Sequence, residues 1–204
     1  MRGFDDAEVI AGIVLAAGLS RRMGRAKLLL PLEGRPAIRV TVEGVLASGV
    51  DPVVVVTGSE HPGLAEALAG LPVALVINPS PEAGQASSIR IGIRALPRDA
   101  EAVLIALGDQ PFVPSGVIPA LLGVLRKTGS AIVAPRYRDG RGNPVLFGRE
   151  TFAELVEISG DQGARSVVER NPSRVALVDL DLPMPQDLDT PEDYDRLRSP
   201  GNPV

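Results

Sequence analysis

A chain of 204 residues suits one domain with a sizeable core, which Val, Leu, Ile and Ala must fill because only 3% of residues are aromatic. The net charge of −4 argues against general nucleic-acid binding, which needs a basic face, and the absence of cysteine excludes disulfides, thiolate metal sites and cysteine nucleophiles. The opening residues carry Asp5 and Asp6 where a secretion signal would be basic and then apolar, and no stretch reaches the roughly 18 apolar residues of a membrane helix, so a soluble, cytoplasmic protein with no membrane association is expected.

Residues 9–16 form the first apolar run of strand length. Ile38, Val42, Val45 and Leu46 then recur at helical spacing. Further strand-length runs follow at 53–56 and 73–77. Ile89, Gly92, Ile93 and Leu96 mark a second helix, and 102–107 is the next strand. Ile118, Leu121, Leu122 and Leu125 line one face of a third helix before a strand at 131–134. These strands lack polar alternation, as expected when both faces of a sheet are covered. Strand and helix in turn predict an α/β sandwich of three layers around a mostly parallel sheet. Residues 1–198 are expected to form one domain, and the tail 199–204, rich in Pro and Gly, to fray.

In open parallel sheets, ligands bind beyond the C-terminal ends of the strands. After the first strand come Ala16, Ala17 and Gly18, small enough for backbone amides to approach a ligand, then Arg21, Arg22, Arg25 and Lys27. Amides and cations together suit a triphosphate; a solvated basic turn is the alternative. Neither the P-loop pattern nor G-x-G-x-x-G is present. Lysine occurs only at 27 and 127, so a compact ammonium in this loop points to a phosphate contact. After the strand at 102–107, Asp109 lies between Gly108 and Gln110-Pro111 and is placed to hold Mg²⁺, which takes one or two protein carboxylates; an Asx-turn or helix cap is the other use. Thr190, Pro191 and Asp193 carry a helix-start signature, so Asp189 and Asp193 have a capping role open to them. His61 sits away from these segments and reads as an exposed loop residue.

The segment LAAGLSRRMGRAKLLLPLEGRPAI, residues 15–38, resembles the signature of the MobA-like NTP transferases. Gly108-Asp109-Gln110-Pro111 resembles the metal-binding turn of that family, and residues 187–193 its acidic closing segment. Residues 141–144 and 160–165 resemble blocks of its molybdenum cofactor cytidylyltransferase branch. The likeness runs from about Val9 to Leu197. It implies a Rossmann-like fold of the nucleotide-diphospho-sugar transferase type. It also implies that Ala16, Ala17, Gly18, Gly84 and Ser88 meet the nucleotide base, that Arg22 and Lys27 hold phosphates, and that Gly24 shapes the loop. Asp109 would bind Mg²⁺ together with Asp187 or Asp189, between which the sequence does not choose. Arg141, Asn143, Asp161 and Arg165 would hold an anionic acceptor, with Arg136, Arg138 and Asp139 as solvated loop residues.

The activity implied is Mg²⁺-dependent transfer of CMP from CTP to molybdopterin, with release of pyrophosphate and a molybdoenzyme as downstream partner. Guanylyl transfer to the same cofactor, nucleotidyl transfer to another phosphorylated small molecule, a non-catalytic accessory protein for the cofactor, and a phosphate-binding module of another pathway such as purine catabolism are the alternatives. No Ser-His-Asp set is needed, because a phosphate monoester, with a second pKa of about 6, is already ionised at neutral pH.

Overall fold

The computed structural model describes residues 8–18, 23, 26–59 and 63–198. Arg22, Gly24, His61 and the tail 199–204 lie outside these. In chain order the strands are β1 (Val9–Ala16), β2 (Pro31–Leu32), β3 (Arg35–Pro36), β4 (Val53–Gly58), β5 (Val73–Asn78), β6 (Ala100–Leu107), β7 (Ile132–Tyr137), β8 (Gly140–Arg141), β9 (Val145–Gly148) and β10 (Val175–Asp179). The helices are α1 (Ala37–Ala47), α2 (Gly63–Ala67), α3 (Gln85–Ala95), α4 (Val117–Thr128), α5 (Phe152–Glu157), α6 (Arg165–Arg170) and α7 (Pro191–Leu197).

The central sheet has eight strands in the order β5-β4-β1-β6-β9-β7-β10, with β8 paired to β7. β5, β4, β1 and β6 run parallel. β9 is reversed against both β6 and β7, and β10 is parallel to β7. The sheet is thus mostly parallel, as the apolar runs require. β2 and β3 make a separate small hairpin.

Alternation along each buried strand feeds two cores. On β4, Val53 and Val55 belong to the core that also holds Ile38, Val42 and Val45 of α1 and, further across the sheet, Leu121 and Leu125 of α4. Val54 and Val56 face the other way, into the core that holds Ile89 of α3, Leu155 of α5 and Val167 of α6. Fully burying each such side chain contributes about 1.5–3 kcal/mol, which is why a four-valine run makes a central strand rather than a surface one. Helix α4 ends where Gly129 adopts φ +59° and donates its N–H to the Leu125 carbonyl at 2.8 Å. Helix α7 starts as its sequence predicts. Thr190 caps it, Pro191 follows at the first helical position, and Thr190 and Asp193 form a reciprocal capping box.

A third, smaller core fixes the C-terminal segment. Leu188 and Leu197 pack with Met23, Leu30, Leu32 and Ala37, so the chain returns from the far flank to the end of β1.

The segment around Arg136, Arg138 and Asp139, expected as a solvated loop, is largely strand and tight turn. β7 continues through Arg136 and Tyr137, turns back as β8 and leads into β9. Strand periodicity explains the composition: Tyr137 points into the core while Arg136 stays exposed. Arg136 pairs with Asp179, and Arg138 with Asp181 at 2.6 Å. Asp139 accepts the Met184 N–H at 3.1 Å.

Candidate active site

The chain runs from β1 outward to β4 and β5 and then returns to place β6 on the other side of β1. That reversal opens a crevice at the C-terminal ends of β1 and β6, where a doubly wound sheet accommodates ligands. A cavity of about 510 Å³ lies there. Its walls include Ala16, Ala17 and Gly18 after β1, Gly84 and Ser88 at the start of α3, and Asp109 after β6. Lys27, Asp161 and Asp189 add charged groups to the lining.

Gly108 sets the approach of the Asp109 turn. Its N–H donates to the Leu15 carbonyl at 2.9 Å, and its own carbonyl accepts from Thr41 Oγ1 at 3.0 Å. A Cβ at this position would lie 2.8 Å from the Leu15 oxygen and 3.0 Å from Ile38 Cδ1, so a side chain would lift the turn off the end of β1. The Asp109 carbonyl in turn accepts the Leu188 N–H at 2.8 Å. Because Leu188 is fully buried, its two acidic neighbours are held beside Asp109.

The two neighbours then diverge. Asp189 lines the cavity and accepts from Lys27 Nζ at 2.7 Å, while Asp109 accepts from the same ammonium at 2.6 Å. Asp187 instead accepts from Gln110 Nε2 at 2.7 Å. Burial works against the charge on Lys27, but the carboxylates of Asp109 and Asp189 outweigh it and hold its pKa above the ordinary lysine value. At Asp187 burial pushes the carboxyl up; the Gln110 hydrogen bond opposes this, and the charges of Asp109 and Asp189 reinforce it.

Asp109 and Asp189 suit a small hard cation. Both offer carboxylate oxygens to one common point, and Mg²⁺ takes about one or two such ligands, completing its shell with water and phosphate oxygens. No group of three or more His, Cys, Asp or Glu forms a closed metal cage among the described residues. A site that relies on substrate for the remaining ligands does not need one.

Opposite these acids, Asn78 is fully buried and orients the start of α3. Its Oδ1 accepts the Ser80 N–H at 2.9 Å, so its Nδ2 faces Ser87 Oγ at 2.7 Å and Ser88 Oγ at 2.9 Å. Gly84 adopts φ +90°, and a Cβ there would lie 2.6 Å from both Asp161 Oδ1 and the Gly160 carbonyl carbon. The Ala86 N–H donates to Gly160 O at 3.1 Å. These contacts bring Asp161 into the cavity wall. At Gly18, by contrast, a Cβ would touch nothing within 4 Å among the described residues.

The structure therefore gathers Ala16, Ala17, Gly18, Lys27, Gly84, Ser88, Asp109, Asp161 and Asp189 around one cavity. Arg141 and Arg165 are not in its wall; they meet on Glu169, at 3.6 and 2.7 Å. Asn143 precedes a cis proline, and its carbonyl accepts from Tyr137 Oη at 2.7 Å. Arg22 falls outside the described residues. The sequence reading missed Pro81, Glu82 and Gln85 in the wall and the pinning role of Leu188. An isolated leucine between two aspartates was the available signal for Leu188.

A strand-end cavity with a shared lysine and paired acids lies where α/β enzymes of the doubly wound class take their ligands. The chain belongs to the MobA-like NTP transferase family, whose domain model matches residues 12–175. It is a nucleotidyltransferase of that family. It is 30% identical to the purine catabolism protein PucB of Bacillus subtilis (strain 168), over 93% of this chain and 96% of that one. It is 32% identical to the nicotine blue oxidoreductase of Paenarthrobacter nicotinovorans, over 96% and 99% of the two chains. The crystal structure of Rv0371c from Mycobacterium tuberculosis H37Rv superposes with a TM-score of 0.85 at 31% identity, covering 94% of this chain and 98% of that one. That protein has also been crystallised with manganese, and the complex matches with a TM-score of 0.79.

Proposed function

We propose that the protein transfers CMP from CTP to molybdopterin, releasing pyrophosphate, with Mg²⁺ as the required ion. The observation that carries a metal-dependent transfer is the convergence of Lys27, Asp109 and Asp189 at the switch point of the sheet. The manganese complex of the related Rv0371c supports a divalent ion. The choice of CTP and molybdopterin follows the likeness of residues 141–144 and 160–165 to the cytidylyltransferase branch.

In this reading Ala16, Ala17 and Gly18 pack against the nucleotide, and Gly84 lets it approach α3. Ser88 Oγ already accepts from Asn78, which leaves its hydroxyl proton to donate to an acceptor on the base edge. Asp109 and Asp189 hold the ion, which when bound offsets charge on the triphosphate. Lys27, with Arg22, stabilises the charge that grows on departing pyrophosphate. Asp161, Arg141, Asn143 and Arg165 orient the acceptor. Its phosphate oxygen attacks the α-phosphorus of CTP, the bond from that phosphorus to the bridging oxygen of the β-phosphate breaks, and pyrophosphate leaves with the electron pair. No general base is needed, so catalysis is positioning and charge neutralisation.

The test compares CTP with GTP in two assays. CTP with Mg²⁺ should raise the melting temperature more than GTP with Mg²⁺, and CTP with molybdopterin should release pyrophosphate. Stronger stabilisation by GTP would redirect the proposal to guanylyl transfer. Binding of both substrates with no pyrophosphate released would leave an accessory protein.

A further inference from the structure

The carboxylates assigned to the metal already share a cation. Lys27 Nζ lies 2.6 Å from Asp109 Oδ2 and 2.7 Å from Asp189 Oδ1, and only 9% of the lysine side chain is exposed. The ammonium thus occupies the point at which two inward-facing carboxylates of this chain converge. A divalent ion bound to the same oxygens at about 2.1 Å would lie almost in contact with that ammonium. Even at an effective dielectric constant of about 20, repulsion between a dication and an ammonium at such range outweighs a tenfold gain in affinity. Metal and lysine therefore cannot share these two oxygens.

Lys27 has an alternative position available to it. It opens a short 3-10 helix, Lys27–Leu29, at the cavity wall, and its ammonium is carried on a flexible four-carbon stem. Phosphate oxygens in the cavity would give it new partners.

We propose, resting on the assignment of Asp109 and Asp189 to the metal, that Lys27 is an internal counter-ion which keeps the metal out until a nucleoside triphosphate draws its ammonium away. Without nucleotide, the lysine offsets one of the two carboxylate charges and occupies an oxygen of each, so the protein binds divalent ions weakly. A triphosphate takes over the lysine and contributes oxygens of its own, so ion and nucleotide enter as a pair. The coupling is reciprocal: the factor by which CTP tightens the ion is the factor by which the ion tightens CTP. One residue then has two roles, and the protein avoids trapping a metal in an unproductive state.

The experiment is a titration with Mn²⁺ followed by the electron paramagnetic resonance of the free ion. It uses wild type, Lys27→Gln and Asp109→Asn, each with and without CTP, corrected for Mn²⁺ held by free CTP. Wild type alone should bind Mn²⁺ weakly, and CTP should tighten it about tenfold or more. Lys27→Gln should bind nucleotide-free Mn²⁺ at least about tenfold more tightly than wild type, and CTP should tighten it by a smaller factor than in wild type. Mn²⁺ should also raise the melting temperature of Lys27→Gln more than that of wild type. Equal nucleotide-free affinity in Lys27→Gln and wild type, with loss in Asp109→Asn, would overturn the counter-ion role and leave the metal assignment standing. If Asp109→Asn binds Mn²⁺ with CTP as well as wild type does, the metal assignment fails and this inference fails with it. Should Lys27→Gln not fold, wild type decides alone: equal affinity for Mn²⁺ with and without CTP overturns the proposal.

Discussion

The parallel half of the sheet and its flank contain ion pairs of the same length in very different settings. In the parallel half, Lys27 meets Asp109 at 2.6 Å with 9% and 25% of the two side chains exposed. On the flank, Arg138 meets Asp181 at the same 2.6 Å with 58% and 91% exposed. The first pair is largely buried, so each charge is felt more strongly by its neighbours; the second is screened by solvent and salt. Length therefore says little about role. Position at the end of β1 and β6, and burial there, separate a site from a surface.

The largest effect should come from breaking the junction between these regions. Gly84, at φ +90°, touches the Gly160–Asp161 turn, which the flank sends across the start of α3. Gly84→Ala adds both a strained left-handed alanine and a contact of 2.6 Å with Gly160 backbone. Together these should cost about 2–4 kcal/mol in chemical denaturation. Nucleotide binding should weaken as well, because Asp161 and α3 are displaced from the cavity. A loss under about 0.5 kcal/mol, the size of an ordinary surface substitution, would show that the flank does not lean on α3 in this way.

The same contrast explains what could be read from the sequence. The parallel strands were legible because their apolar runs are continuous, and the site followed from the rule that ligands sit at strand ends. Lys27 and Asp109 both lie there. The flank was harder. β9 has four residues, Val145–Gly148, directly after a proline, and β10 has five, Val175–Asp179, none of them buried. A four-residue strand and a partly exposed one carry little periodic signal, and Arg136 of β7 looked like a loop residue. The choice between Asp187 and Asp189 was also out of reach. It depends on Leu188, whose burial and bond to the Asp109 carbonyl are tertiary contacts.

A smaller effect should sharpen the role of the flank. Arg141 and Arg165 both approach Glu169, whose carboxyl is held below its usual range, chiefly by the Arg165 hydrogen bond. If these arginines also hold the acceptor, the double change Arg141→Ala and Arg165→Ala should raise the KM for molybdopterin about tenfold, equivalent to about 1.4 kcal/mol. The KM for CTP should stay within about twofold, a shift of only a few tenths of a kcal/mol. An unchanged KM for both substrates would return the pair to the surface class to which Arg138 and Asp181 belong.

The smallest effect tests how deeply the flank is built. Tyr137 is buried, and its hydroxyl donates to the Asn143 carbonyl at 2.7 Å. Tyr137→Phe keeps the ring and removes the hydrogen bond, leaving that carbonyl without its phenol partner, so it should cost about 1 kcal/mol near neutral pH. Burial pushes the phenol pKa well above its ordinary value, whereas in the unfolded chain it ionises near about 10. The folded protein thus favours the neutral phenol. The associated stability is fully present below the unfolded pKa and is lost as pH rises from about 10 toward the folded value. Phenylalanine cannot ionise. The advantage of wild type over Tyr137→Phe should therefore be constant through neutral pH and shrink progressively above about pH 10. Denaturation curves for both proteins at several pH values measure it. A difference that grew with alkalinity would mean that the phenolate is accommodated in the folded flank, and that this edge of the sheet is far wetter than its packing indicates.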